Sequence, residues 1–208
     1  MKKFITSIRL QPIILLIRLS YESLYELKLD KLLELINFLY NHNLTNIEIR
    51  WEDHKNWKII LKRIKEEFPK ILIGAATLRN KDSINNVKEL NLDFAMMPFW
   101  DKDLMNYANQ INQFVIPAIQ NENQLSNANK MNCNIIKIYP ANELGIEFIK
   151  KINTNNINIA AGGLESDDID IWLKKGYNGL VLGRKVFNNY SLNQKFLNWI
   201  KLNQENFH

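Results

Sequence analysis

Short, wholly apolar runs alternate along the chain with longer stretches in which apolar residues recur every three or four positions. The first pattern marks strands buried on both faces. The second marks helices that lay one stripe on a sheet. The strand-like runs are Ile13–Ile17, Asn46–Trp51, Ile71–Thr77, Asp93–Met97, Gln113–Pro117, Asn134–Ile138, Ile157–Ala161 and Gly179–Gly183. Helices are predicted over Leu24–Tyr40, Trp57–Ile64, Ser83–Leu90, Leu104–Ile111, Gln124–Met131 and Leu144–Ile152. Another runs from an N-cap at Ser166 through Leu173 to a stop at Gly176, and a last one spans Leu192–Ile200. Eight strand–helix units in 208 residues predict a single (β/α)8 barrel over residues 1–208, with no linker and no repeat beyond that rhythm. A doubly wound open sheet is the competing architecture, but it usually has fewer strands.

One run breaks the apolar rule. Asn134-Ile135-Ile136-Lys137-Ile138-Tyr139-Pro140 puts a lysine inside a buried strand. An ammonium there is costly unless it is paired or sheds its proton. A neutral lysine is a nucleophile for carbonyl groups. The plainer alternative is a snorkelling side chain with its head in water. Glu48, between Ile47 and Ile49, poses the same choice: a proton shuttle, or the partner of a buried arginine.

Composition narrows the function classes. Hydrophobic residues make up 46% and charged residues 24%, an ordinary globular balance. The net charge of +5 is spread over isolated basic pairs, so no nucleic-acid stripe is expected, whereas a cationic pocket for an anionic metabolite is. The N-terminal Phe4-Ile5 is broken by Thr6, Ser7 and Arg9, and reads as neither a signal peptide nor a membrane span. The single cysteine, Cys133, excludes an internal disulfide, fits a cytoplasmic protein, and reads as a small hydrophobe. No cluster has metal-ligand spacing, and His42, His54 and His208 fall away from the strand ends, so neither metal nor cofactor is expected. No glycine-rich dinucleotide or ATP motif occurs either.

In a barrel the strand C-termini form the active face. Arg18, Glu48, Arg50, Thr77, Pro98, Lys137, Gly162-Gly163 and Gly183-Arg184 all fall there. Glycine turns after the seventh and eighth strands can offer backbone N–H groups to a phosphate, with Arg184 adding a guanidinium.

These segments carry a resemblance. Pro12–Arg18, Ile47–Trp51, Ile73–Thr77, Ile135–Ala141, Ala161–Leu164 and Leu182–Gly183 resemble the 2-keto-3-deoxy-6-phosphogluconate (KDPG) aldolases. They are equally similar to the related 2-keto-3-deoxy-6-phosphogalactonate and 4-hydroxy-2-oxoglutarate (KHG) aldolases. Lys-Ile-Tyr-Pro-Ala followed by Gly145 is the most specific segment. The resemblance implies a trimeric class I aldolase that needs no metal. Lys137 would form a Schiff base with the substrate ketone, and Glu48 would move protons. Arg18 and Thr77 would hold the carboxylate, Pro98 would shape the wall, and Gly162, Gly163 and Gly183 would line the phosphate site. The products would be pyruvate and glyceraldehyde 3-phosphate.

The chain also departs from the family pattern. Arg50-Trp51-Glu52 puts a carboxylate where a cationic or amide contact is usual, so Glu52 would repel an anionic substrate unless Arg50 compensates. Ala76, Phe99 and Ala118 stand where glycines are expected, and Arg184 stands where several relatives carry a small Ser. A barrel that binds a phosphosugar or keto acid without turnover is therefore the alternative. An epimerase or a thiamin-phosphate-synthase-like barrel is a weaker one. Trp100 is the aromatic expected at a subunit interface.

Overall fold

A computed structural model describes residues 1–152, 156–203 and 205. Eight parallel strands alternate with helices: β1 (Ile13–Ile17), β2 (Asn46–Arg50), β3 (Leu72–Ala76), β4 (Phe94–Met96), β5 (Ala118–Ile119), β6 (Ile135–Ile138), β7 (Ile157–Ala161) and β8 (Gly179–Leu182). Their order is β4-β3-β2-β1-β8-β7-β6-β5. A parallel bridge between Met96 and Ile116 closes the ring, with Ile116 N–H donating to Ala95 O at 2.8 Å and Met97 N–H to Ile116 O at 3.0 Å. The architecture is the (β/α)8 barrel that the alternating pattern predicts.

The period of two along each strand sorts side chains into two cores. On β2, Ile47 and Ile49 face outward to the helices, while Asn46 and Glu48 are buried on the inner face. The inner core holds Ile14, Phe94, Met96, Ile116, Ile135, Ile159 and Val181. Its floor is a helix absent from the sequence expectation, α1 (Lys2–Leu10). Phe4 and Ile8, four apart and so on one face, are both fully buried beneath the strands. The Phe4 and Phe94 ring centroids are 4.3 Å apart. Gly74 leaves the room for this plug, because a β-carbon there would stand 2.2 Å from the Phe94 ring. Ser7, Asn46 and Gln11 tie the helix down: Ser7 Oγ donates to Asn46 Oδ1 at 2.6 Å, and Asn46 Nδ2 donates to Gln11 Oε1 at 2.7 Å.

Several boundaries differ from expectation. The fifth strand is not Gln113–Pro117. Ile116 makes only the closing bridge, Pro117 has no N–H to give, and the ladder to β6 runs from Ala118. The helix expected over Leu24–Tyr40 is two, α2 (Tyr21–Glu26) and α3 (Asp30–Asn41), separated where Leu27 turns left-handed (φ 55°). The outer helices α4 (Lys55–Glu67), α5 (Lys81–Glu89), α6 (Lys102–Gln110) and α7 (Glu122–Lys130) fall where the periodicity puts them. Leu144–Ile152 is not one helix: α8 (Ala141–Leu144) ends at Gly145 (φ 77°), and a 3₁₀ turn follows over Ile146–Lys151. Ser166 is not the N-cap it was expected to be. It opens the 3₁₀ turn Ser166–Asp168, which Glu165 caps, ahead of α9 (Ile169–Lys174). A hairpin of β9 (Phe187–Asn188) and β10 (Ser191–Leu192) precedes the last helix, α10 (Gln194–Asn203), so Leu192 is strand and not helix. Trp100 is half-buried against the outer core and not the exposed aromatic that was expected. No helix among the described residues is long and apolar enough to cross a membrane.

Candidate active site

A cavity of about 540 Å³ opens at the C-terminal ends of the strands. Arg18, Glu48, Thr77, Pro98, Lys137, Gly162, Gly163, Gly183 and Arg184 all line it. Every candidate site residue named from the sequence therefore meets in one place, although their spacing along the chain runs from 18 to 184.

Lys137 faces inward from β6 because Ile136 and Ile138, on either side, face the outer helices. It is only 5% exposed, which removes the snorkelling alternative. Its Nζ lies over the Tyr139 ring, 5.4 Å from the centroid. Burial holds the amine well below the usual lysine value, at about 8, and the Glu48 charge opposes that shift. Glu48 is 1% exposed on β2, opposite β6 in the ring order. Burial raises its carboxyl to about 7, against the pull of Lys137 and then Arg18. Both groups thus change charge near neutrality, the condition for proton transfer in either direction. Glu48 Oε2 has no hydrogen-bond partner, and neither group joins an ion pair among the described residues.

The mouth is cationic. The guanidinium of Arg18 has its proton affinity lowered by burial first, and then by the charges of Arg184 and Arg50. Gly162 (φ 98°) and Gly163 (φ 74°) take conformations that side chains resist, and a β-carbon on Gly162 would meet the Tyr139 ring at 3.0 Å. Thr77 also sits at positive φ (67°), which turns the chain sharply out of β3. Arg50, named with Glu48 on the second strand, lines the cavity as well, and so do Arg79, Tyr139, Pro140, Asn142 and Lys185, which the sequence expectation did not place there. Strand periodicity could have found Tyr139, two residues beyond Lys137.

None of the three main departures from the family pattern obstructs this space. Glu52, Ala76 and Phe99 do not line the cavity. Arg50 Nε lies 3.4 Å from Glu52 Oε1, so the carboxylate is compensated outside it. Among the described residues no group of three or more His, Cys, Asp or Glu side chains could hold a metal ion. His54 caps α4, its Nδ1 accepting from Asn56 N–H at 3.2 Å, and His208 lies outside the described residues. Burial pushes the Cys133 thiol up to about 11, consistent with an inert packing group.

An enclosed amine and acid inside a cationic cavity at the C-terminal face make this a (β/α)8 barrel with an enzyme-like ligand site. The chain belongs to the KDPG and KHG aldolase family, whose model matches residues 7–202. No curated protein matches it in sequence. Among solved structures, it is similar to the KDPG aldolase of Legionella pneumophila, which was captured with pyruvate as a covalent carbinolamine. The identity is 18%, the cover 97% of this chain and 94% of that one, and the TM-score 0.76. It is also similar to the 2-keto-3-deoxy-6-phosphogluconate aldolase of Zymomonas mobilis ATCC 29191, at 16% identity, 94% and 93% cover, and TM-score 0.72. The thiamine phosphate pyrophosphorylase of Pyrococcus furiosus shares the fold at 12% identity, 94% and 98% cover, and TM-score 0.66. At such identities these likenesses speak to fold.

Proposed function

We propose that the protein is a class I aldolase that cleaves a 2-keto-3-deoxy-6-phospho sugar acid into pyruvate and glyceraldehyde 3-phosphate. The observation that carries this reading is the buried amine of Lys137 sharing one cavity with the buried carboxyl of Glu48.

The Lys137 amine adds to the substrate ketone, and loss of water leaves an iminium. Glu48, protonated at the outset, gives its proton to the ketone oxygen as the amine adds, takes a proton from the nitrogen and passes it to the departing hydroxyl, which leaves as water with Glu48 ionised. The iminium then draws the electrons of the bond between the third and fourth carbons. Glu48 accepts the proton of the fourth-carbon hydroxyl, and the aldehyde leaves. The remaining enamine takes a proton on carbon, and water releases pyruvate and restores the amine. Arg18 and Thr77 hold the carboxylate, and Pro98 shapes the wall. Gly162, Gly163, Gly183 and Arg184 receive the phosphate. The chemistry requires no cofactor, because the iminium is the electron sink.

A cytoplasmic homotrimer belongs to the same reading. Exposed Tyr21, Tyr25 and Ile59 are the apolar surface that supports an assembly, and Tyr21 and Tyr25 stack with centroids 4.7 Å apart. Pyruvate release can be followed with a lactate dehydrogenase couple. The substrates to offer are the 6-phospho gluconate-type acid, its epimer at the fourth carbon and 4-hydroxy-2-oxoglutarate. Release from a phosphorylated acid is expected, and no release from any of the three would overturn the reading.

A further inference from the structure

Two positions beyond Glu48 on β2, the strand period brings Arg50 to the same inward face, where it lines the cavity. Register pairs Arg50 with Ala76, the residue before Thr77, and Trp51 N–H donates to Ala76 O at 2.8 Å. Arg50 is thus a cation on the Thr77 side of the mouth. Arg18 leans the other way, with Nη1 3.6 Å from where a β-carbon of Gly183 would stand.

The Arg50 backbone is fixed from outside the barrel, where Trp57 Nε1–H donates to its carbonyl at 2.8 Å. The guanidinium is steadied by Glu52, which stays out of the cavity. The Arg50 side chain donates no hydrogen bond among the described residues, so its planar fork retains donors for a ligand. Arg50 and Arg184 both bear on Arg18 electrostatically. Like charges held this close repel, and an anion between them converts that repulsion into attraction.

We propose that Arg50, beside Thr77, binds the carboxylate of the keto acid, and that Glu52 is the positioning residue that aims it. A forked guanidinium matches a carboxylate through two parallel bonds, which an ammonium does not. The carboxylate at position 52 then helps anion binding through Arg50 and does not oppose it. Arg18, to which the reading above also gives the carboxylate, reaches it from the Gly183 side, so the two guanidiniums share the anion. This assignment rests on the Schiff-base reading above for the identity of the ligand as a keto acid.

The test compares wild type with Arg50→Met, Arg50→Lys, Glu52→Gln and the Arg50→Met/Glu52→Gln double variant. Pyruvate half-saturation is measured by borohydride trapping and by thermal stabilisation, with glycerol 3-phosphate as a carboxylate-free phosphate probe. Arg50→Met is expected to raise the pyruvate half-saturation by about tenfold or more while leaving the glycerol 3-phosphate response unchanged. Arg50→Lys, with its charge retained, is expected to fall between and to guard against a folding artefact. Glu52→Gln is expected to weaken pyruvate roughly two- to threefold, and to add nothing once Arg50 is gone. An unchanged pyruvate half-saturation in Arg50→Met overturns the proposal, as does equal weakening of both probes. Failure of the wild type to be trapped would sink the imine reading instead, and pyruvate affinity would still be read from thermal stabilisation.

Discussion

Glu48 and Lys137 stand on opposite walls of the barrel, on β2 and β6, and each shifts the proton affinity of the other across one cavity. Burial acts on both in the same sense, toward the uncharged form, and outweighs the attraction between them. A neutral amine and a protonated acid are the states that carbinolamine formation uses first.

That arrangement costs stability in a pH-dependent way. Glu48 titrates at about 7 in the folded chain against an ordinary 4.5, so between those values the folded state binds more protons than the unfolded one. Stability is therefore lost as pH rises through that window. Glu48→Gln should gain on the order of 2 kcal/mol, or several degrees in Tm, at pH 8, with the gain vanishing near pH 4.5. Lys137 has the opposite sign: its value falls from 10.5 to about 8, so stability is lost as pH falls through that window. Lys137→Met should stabilise at pH 7 and lose its advantage above pH 10.5. Melting curves across pH check both, and destabilisation by either variant at neutral pH contradicts the account.

The floor of the barrel gives a prediction about folding. Phe4→Ala empties a fully buried site against Phe94 and should cost about 3–5 kcal/mol in denaturant unfolding. Gly74→Ala should destabilise by overpacking, since its β-carbon would enter the Phe94 ring. A Phe94→Leu change should recover part of that loss. Additive effects of Gly74→Ala and Phe94→Leu would show that the contact does not decide the cost.

The two ends of the cavity should separate by mutation. Gly162→Ala forces a side chain into positive φ and against Tyr139 and the Pro140 backbone. It should raise KM for the phosphorylated acid about tenfold while leaving the concentration of pyruvate needed for half-trapping nearly unchanged. Steady-state kinetics beside pyruvate trapping decides this, and equal losses at both ends would place the phosphate elsewhere.

Much of the site was legible in the sequence because a charge inside a buried strand is rare and costly. Lys137 and Glu48 each interrupt an unbroken Ile run, and the strand period then aims them inward. Their neighbours were less visible. Arg50 could be placed at the active end of its strand, but only its pairing with Ala76 puts it beside Thr77. Phe4, Ile5, Ile8 and Leu10 are the apolar residues of Lys2–Leu10, but only Phe4 and Ile8 are buried, and their weight comes from the barrel end they close. Phe114-Val115-Ile116 has strand composition, yet pairing with β6 waits until Ala118, beyond the proline. Tertiary contact decided those cases, and the local pattern did not hold it.

The central claim is the nucleophilic amine. Incubation with pyruvate and sodium borohydride, followed by proteolysis and mass spectrometry, should give one reduced adduct on the peptide holding Lys137. The adduct should be absent in Lys137→Met and should form more slowly, at a shifted pH, in Glu48→Gln. An unmodified Lys137 peptide at saturating pyruvate, or an adduct that survives in Lys137→Met, would contradict it.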